Sequence, residues 1–377
     1  MRRWAVGAPT AACREDALPV AHLNRIGTSV PDHDIHSAFV EFARTLLPDE
    51  RGQYVFERMA ERSGIAHRFS FLRPGNLAAG EVDADGFYRR GQFPTTSQRM
   101  VLYEAQAQVL ALRAIEALGL GDERARITHL VVASCTGLAS PGLDIQLVEL
   151  LGLRTDVKRT MIGFMGCAGA VPALRVAAEA VRADARARVL VVNVELCSLH
   201  MQETSDIATI LSFLLFGDGG SAALVTADAC GLALGAFHAE LIPESQDLIT
   251  WHIGDHGFRM HLSGRLPARI ARALHAEHAR GDARGMIRPD DAAAVDLWAV
   301  HTGGRTVLDA VETGLGLPRR ALYHSRAVLE DYGNMSSATV MFVLQRILRE
   351  PHPGARGLAM AFGPGVVAET FRFVQVG

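Results

Sequence analysis

The sequence is poor in several features, and each shortage removes a class of protein. No apolar run approaches the roughly 18 residues that a membrane span requires. Met1-Arg2-Arg3-Trp4 is not followed by an apolar core, because Cys13, Arg14, Glu15 and Asp16 interrupt the stretch where a signal peptide needs one. The five cysteines are odd in number and include no C-x-x-C pair. They argue against a disulfide framework and against a metal site, and the reducing cytoplasm is the expected location. With a formal net charge of −3, no nucleic-acid surface is expected. Neither a G-x-G-x-x-G turn opening a helix nor a G-x-x-x-x-G-K-[ST] loop occurs, which removes the common phosphate-binding loops.

What is present is the make-up of a folded protein. The 377 residues are 49% hydrophobic and 21% charged, enough for one large core or two ordinary domains. Short β-branched runs at Ile127–Ala133, Val189–Val194, Ser221–Thr226, Asp296–Val300 and Gly357–Phe362 predict strands. Apolar residues at three- and four-residue spacing predict helices over Met100–Ala117, Asp144–Leu151, Pro172–Ala183, Leu266–His275, Val307–Gly314 and Ser337–Arg349. Strands alternating with helices predict an α/β architecture with buried sheets. Thr10–Ser29 and Phe71–Pro94 read as irregular. A weak boundary near Asp228–Gly235 divides the chain at 1–232 and 233–377, two halves that share a loose order of strand, reactive loop and helix.

Three places could carry chemistry. Cys167 lies in Gly163-Phe164-Met165-Gly166-Cys167-Ala168-Gly169, among glycines and just before a helix that Pro172 helps to open. Backbone amides and a helix N-terminus favour a nucleophilic thiol there over an inert buried one. Cys13, Cys135, Cys197 and Cys230 lack that setting and read as packing or pocket lining. Among fifteen histidines, His301 ends the apolar run Leu297-Trp298-Ala299-Val300 and begins His301-Thr302-Gly303-Gly304, where α/β proteins place reactive groups. His252, His256 and His261 fall in a loop-like stretch and read as pocket or surface. Asn334, in Tyr332-Gly333-Asn334-Met335-Ser336-Ser337-Ala338, either caps the following helix or donates to a thioester oxygen where charge develops.

Taken in order, the GCAG, HTGG and YGNMSSA strings resemble the chalcone and stilbene synthases, the type III polyketide synthases. LFGDG at Leu215–Gly219 and FGPG at Phe362–Gly365 fit the same family, and the likeness runs from about Ile26 to about Thr370. The resemblance implies a thiolase-like fold, five-layered αβαβα with duplicated halves, and a homodimer. It implies malonyl-CoA as extender and an acyl-CoA or an acyl carrier protein-bound starter, with no cofactor beyond the CoA thioesters. Cys167 would hold the starter and growing chain, and His301 would keep it as thiolate. His301 and Asn334 would steady the enolate left by decarboxylation. Phe216 and Met260 take the gatekeeper positions, and Arg58, Arg62 and Thr306 the CoA-binding ones. The third basic CoA position reads Val55.

The resemblance places Trp251, Cys135, Thr136, Ser140, Glu195, Cys197, His200 and Ser336 in the substrate pocket. Cys135, Cys197 and His200 replace small hydroxyl residues of the plant enzymes, Ser140 replaces a methionine that reaches across the dimer, and Trp251 stands where the plant enzymes have glycine. Such a cavity disfavours a bulky aromatic starter and suits a fatty acyl chain. A bulky residue at the Trp251 position is similar to the bacterial branch that makes alkylresorcinols; an alkylpyrone product is the alternative. An initiating 3-oxoacyl synthase of the ketosynthase III type would carry Gln, Ala and Asn after the histidine instead of Thr302, Gly303 and Gly304. A papain-like hydrolase would place its cysteine near the N-terminus. A silent scaffold of the same fold would not need all three positions filled.

Overall fold

The computed structural model describes residues 18–377; Cys13 and the start of the Thr10–Ser29 stretch lie outside the described residues. Nine strands form one mixed sheet in the order Leu297–Val300, Arg356–Gly363, Val367–Val376, Gly231–Leu241, His22–Ser29, Asp218–Thr226, Val189–Leu196, His129–Ser134 and Lys158–Gly163. The two halves of this sheet meet through a pairing of only two residues each, His22 with Ala233 and Leu23 with Leu232. All five sequence-predicted strands are present; three are longer than expected by one to three residues at an end, Leu297–Val300 is one residue shorter, and His129–Ser134 starts two residues later and ends one later.

Strand periodicity makes the layers. In Val189–Leu196, Leu190, Val192 and Leu196 join the cluster beneath the helices Thr96–Leu118 and Leu143–Leu151. Val189 and Val191 point the other way, onto the helix Ala170–Ala183. In Arg356–Gly363, Ala359 and Ala361 face that same central cluster, while Leu358, Met360 and Phe362 pack under Leu266–Arg280 and Arg305–Leu315. Because strand side chains alternate, each half-sheet is covered on both faces. The order is helix, sheet, helix, sheet, helix: the five-layered thiolase-like arrangement.

The central helical layer consists of Ala170–Ala183 and Thr339–Arg349. From Thr339 to Gln345 every residue of the second helix is buried, as befits a helix enclosed on all sides. Its one amide, Gln345, accepts from Thr28 Oγ1 at 3.0 Å and donates to the Ile26 carbonyl at 3.0 Å. The central layer is thereby tied to the first strand without an unsatisfied polar group.

Two expectations are corrected. The stretch to Ser29 is not irregular throughout, since His22–Ser29 is a central strand. Its alternation is broken by a register shift between Leu23 and Arg25. Gly27 breaks it again where the helix Thr96–Leu118 crosses: a Cβ there would lie 2.2 Å from the Ala114 carbonyl oxygen. The histidine-bearing stretch is likewise not a loop but a hairpin, Ile249–Gly254 paired with Gly257–Leu262. His252, His256 and His261 are exposed on it, while Ile249, Trp251, Met260 and Leu262 face inward.

Candidate functional site

Cys167, His301 and Asn334 come from three separate elements and converge on one cavity. Cys167 sits in the short turn Gly166–Ala168 that leads into the helix Ala170–Ala183. Gly166 has φ +56°, and a Cβ on it would lie 2.5 Å from Pro364 Cδ. Only glycine lets the FGPG turn close so tightly over the thiol. His301 follows the strand Leu297–Val300, its backbone N–H donating to the Met360 carbonyl at 2.8 Å.

Asn334 does not cap the helix Thr339–Arg349, whose N-cap is Ala338; it precedes the short turn Ser336–Ala338. Its Oδ1 accepts from the Ser336 backbone N–H at 2.8 Å, a local turn of the kind asparagine favours. That bond orients the amide, which stands side-on to Cys167 Sγ with Nδ2 and Oδ1 each 3.8 Å away. The Asn334 carbonyl accepts from Gly217 N–H at 3.0 Å, and the Asn334 N–H donates to the Leu215 carbonyl at 2.8 Å. Phe216, between those two residues, is therefore fixed beside Asn334. Ser336, with φ +49°, and Phe164, with φ +56°, are strained non-glycine residues flanking the site.

The centre is dry. Burial pushes the Cys167 thiol up to about 12, opposed by its contact with Asn334. Burial pulls His301 down to about 3, and neither ring nitrogen has a hydrogen-bond partner. Burial thus favours the neutral thiol and the neutral imidazole, which face the same space. The helix N-terminus favours the thiolate by only about 1 kcal/mol, less than burial costs it.

The wall combines most of the expected pocket residues: Cys135, Thr136, Cys197, Phe216, Trp251, Met260 and Ser336. Trp251 is anchored across it. Its Nε1 donates to the Cys135 carbonyl at 2.9 Å, and its indole meets Phe258 and His200 edge-on. The free space is about 50 Å³, more than the ~10–15 Å³ that one water requires. A second apolar chamber of about 70 Å³, lined by Phe39, Phe42, Leu72, Met201 and Phe213, shares Cys197 and Phe216 with the first.

Three expected pocket residues are not on the wall. Ser140 is exposed on the single chain, as a position expected to reach across a dimer would be. Glu195 and His200 are wholly buried behind the wall. His200 stacks on Phe258 at 4.2 Å, contacts the Thr136 carbonyl through Nε2 at 2.7 Å, and accepts the Phe258 N–H at Nδ1. These bonds fix the neutral Nε2–H tautomer, and burial pulls its pKa down to about 3. Glu195 accepts from Cys135 N–H at 3.0 Å, Thr136 Oγ1 at 2.9 Å and Ser337 Oγ at 2.5 Å. Burial still pushes it up to about 7. Ser337 is the residue that sequence reasoning missed, masked by its small-residue string. Of the remaining cysteines, Cys135 and Cys197 line the cavity, whereas Cys230 is exposed and accepts from Asn24 Nδ2.

Arg58 and Arg62 lie exposed at the end of the helix Glu50–Glu61, and Thr306 is exposed in the first turn of Arg305–Leu315. Arg305 Nη1 bridges the two segments by donating to the Arg62 carbonyl at 3.2 Å.

The chain matches the family models of the chalcone and stilbene synthases, the N-terminal domain over residues 11–229 and the C-terminal domain over residues 234–376. It belongs to the chalcone and stilbene synthase family. It is therefore a type III polyketide synthase, an acyltransferase that forms carbon–carbon bonds by decarboxylative condensation. The bisdemethoxycurcumin synthase of Oryza sativa subsp. japonica is 34% identical over 335 residues, covering 83% of this chain and 81% of that one. Among solved structures, PKS-I of the brown alga Ectocarpus siliculosus is 32% identical with a TM-score of 0.82, covering 96% of this chain and all of its own. The C-terminal type III domain of Steely1, a type I/III hybrid from Dictyostelium, is 25% identical with a TM-score of 0.83, covering 95% of this chain and all of that domain. No helix among the described residues is long and apolar enough to cross a membrane.

Proposed function

We propose that this synthase extends a fatty acyl starter with malonyl units and closes the product to an alkylresorcinol. The observation that carries the reading is the convergence of Cys167 and Asn334 Nδ2 with a histidine whose ring nitrogens are free.

Loading starts from neutral groups. As Cys167 Sγ bonds the starter carbonyl, its proton passes to His301, and Asn334 Nδ2 donates to the developing oxyanion. Collapse breaks the carbon–sulfur bond to CoA, and the CoA thiolate takes the proton. Malonyl-CoA then loses carbon dioxide beside Phe216, whose apolar ring disfavours the carboxylate. The electron pair left behind is held as an enolate by hydrogen bonds from Asn334 and His301. The enolate carbon attacks the Cys167 thioester, forming the new carbon–carbon bond and breaking the carbon–sulfur bond to Cys167; the extended chain is then on CoA, and the freed Cys167 thiolate takes it back by transthioesterification, releasing CoA, before another round. No cofactor beyond CoA thioesters enters this scheme.

Two features support a fatty starter. The chamber beyond Cys197 and Phe216 is mainly apolar and shares those two side chains with the catalytic cavity, and Trp251 closes off the volume a rigid aromatic starter would need. Among the described residues, the hairpin bearing Trp251 and Met260 pairs with no other strand; it is held over the cavity by Phe258 N–H donating to His200 and Gly257 N–H donating to Thr96 Oγ1. With the indole limiting how the tetraketide folds, carbon–carbon aldol closure is favoured over lactonisation. The edge strand Lys158–Gly163 leaves Met161 exposed, which suits pairing with a second copy in a cytoplasmic homodimer. Arg58, Arg62 and Thr306 would meet the CoA phosphates.

Labelled malonyl-CoA incubated with acyl-CoAs of increasing length, beside Cys167→Ala, tests the reading through product masses. Alkylresorcinols lost in the variant are expected. Pyrones alone would overturn the product assignment, and a Trp251→Gly enzyme that still makes only resorcinols would overturn the role of the indole.

A further inference from the structure

We propose that Arg68 sets starter specificity: its guanidinium receives a carboxylate at the far end of the acyl chain, so the synthase prefers CoA thioesters of dicarboxylic acids to plain fatty acyl-CoAs. This rests on the acyl-starter reading above and narrows its substrate class. The product would be a resorcinol whose alkyl chain ends in a carboxyl group.

The chamber behind Cys197 and Phe216 is mainly apolar, yet Arg68, Ser70, Asp83, Tyr88 and Ser198 also line it. All but Arg68 are satisfied by the protein itself. Ser70 and Ser198 share a hydrogen bond at 2.7 Å, and Ser198 Oγ donates to Asp218 at 2.7 Å. Tyr88 OH donates to the Ser198 carbonyl at 2.8 Å. Asp83 accepts the backbone N–H groups of Asp85, Phe87 and Tyr88. Arg73, exposed at the rim of the chamber, pairs with Asp85 at 3.2 Å.

Arg68 is only 1% exposed. Its Nε donates to His36 Nδ1 at 3.0 Å, and Nη1 donates to the Phe213 and Phe216 carbonyls at 2.8 and 2.6 Å. Nη2, with two N–H groups, has no hydrogen-bond partner among the described residues. Asp34 and Asp218 act on the guanidinium through space, but Asp34 is held by His67 and the His36 N–H and Asp218 by Ser198. Burial pulls the guanidinium down to about 9, which leaves it charged at pH 7. A buried donor without a partner is costly, and this one cannot swing away to find one. The Phe39 ring covers it at 4.6 Å. Its stem is wedged against Gly217 and Gly333, where an added Cβ would lie 3.4 and 2.8 Å from it.

The bond from Nη1 to the Phe216 carbonyl places the free Nη2 beside the residue that borders both chambers. An acyl chain on Cys167 that passes Cys197 and Phe216 reaches it there. Folding has already desolvated and fixed the cation, so the pair adds only the dehydration of the incoming carboxylate as a polar cost. A chain ending in methyl would displace water from Nη2 and put nothing in its place. A site with an unmet buried donor rejects a ligand that lacks the matching group.

The test compares mono-CoA thioesters of adipic, suberic and sebacic acids with hexanoyl-, octanoyl- and decanoyl-CoA, by kcat/KM and product mass. For at least one length the dicarboxylic starter is expected to be favoured about tenfold or more, with its carboxyl retained in the product. Arg68→Gln should bring that ratio to about one or below. This variant also loses a contact to Phe216, which slows both starters, so the ratio and not the rate is the readout. Ala38→Glu, at a half-buried position on the chamber wall, leaves Arg68 in place and gives it a carboxylate of the protein's own; it should lower the ratio as well. Equal use of both series, or preference for methyl-ended chains at every length, would overturn the assignment and leave the acyl-starter reading standing. So would a ratio unchanged in Arg68→Gln, or in Ala38→Glu should the first variant not fold. Extension of no thioester of either series would overturn both.

Discussion

Glu195 offers a quantitative test of how the site balances burial against hydrogen bonding. Its carboxyl, wholly buried behind the cavity wall, is pushed from 4.5 to about 7. Three donors oppose that shift, and burial outweighs them. Below pH 4.5 the group is protonated in both folded and unfolded chains, and its contribution to stability is fully present. Between 4.5 and 7 the unfolded chain releases the proton and the folded one keeps it, so stability falls as pH rises. At about 1.36 kcal/mol per unit, the whole window is worth ~3 kcal/mol. Glu195→Gln removes the titration and keeps the contacts, since one amide oxygen can take Cys135 N–H and Thr136 Oγ1 while the NH₂ donates to Ser337. Relative to wild type, the variant should therefore gain ~3 kcal/mol between pH 4.5 and pH 8. For a chain of this length that is roughly 4 °C in Tm. Urea unfolding at the two pH values, followed by tryptophan fluorescence, gives the difference directly. A stability difference independent of pH would show the carboxylate to be ionised throughout, and the primacy of burial in this pocket would be wrong.

Other perturbations probe the scaffold and the centre. Gly166→Ala places a methyl against Pro364 at a positive φ; it should displace Cys167 and lower kcat at least tenfold with folding retained, as measured by turnover beside circular dichroism. His200→Phe leaves the Thr136 carbonyl and the Phe258 N–H without partners. It should cost about 2–4 kcal/mol in urea unfolding and loosen the wall, broadening the range of product lengths. Cys167 should resist iodoacetamide at pH 8 relative to free cysteine, because burial holds it as thiol; alkylation as fast as a surface thiol would contradict that.

Much of this arrangement was legible in the sequence, for physical reasons that differ by element. Val189–Leu196 and Arg356–Gly363 announce themselves because strands buried on both faces need unbroken apolar runs. Cys167, His301 and Asn334 stand out because each lies where a regular element ends in glycine-rich backbone. His22–Ser29 was obscured by its bulge and by Gly27, whose purpose is visible only against the crossing helix. The hairpin Ile249–Leu262 carried a period of two, but exposed histidines at alternate positions disguised it. Glu195 and His200 were expected on the cavity wall, and only packing shows them one layer behind it, setting the positions of Cys135 and Trp251. Ser337 gave no signal, since a hydroxyl in a string of small residues looks the same whether or not it meets a buried carboxylate.

The place of His22–Ser29 in the sheet has a consequence for the order of synthesis. This strand lies at the middle of the nine, beside a neighbour some 200 positions later in the chain, as the bond from Thr226 Oγ1 to Asn24 shows. At about 5–20 residues per second, the strand waits roughly 10–40 s for that neighbour. The central helix Thr339–Arg349, which accepts its Thr28 hydroxyl, arrives later still. The N-terminal half therefore leaves the ribosome with its keystone strand unpaired, and newly made chains depend on protection from one another until synthesis is well past the halfway point.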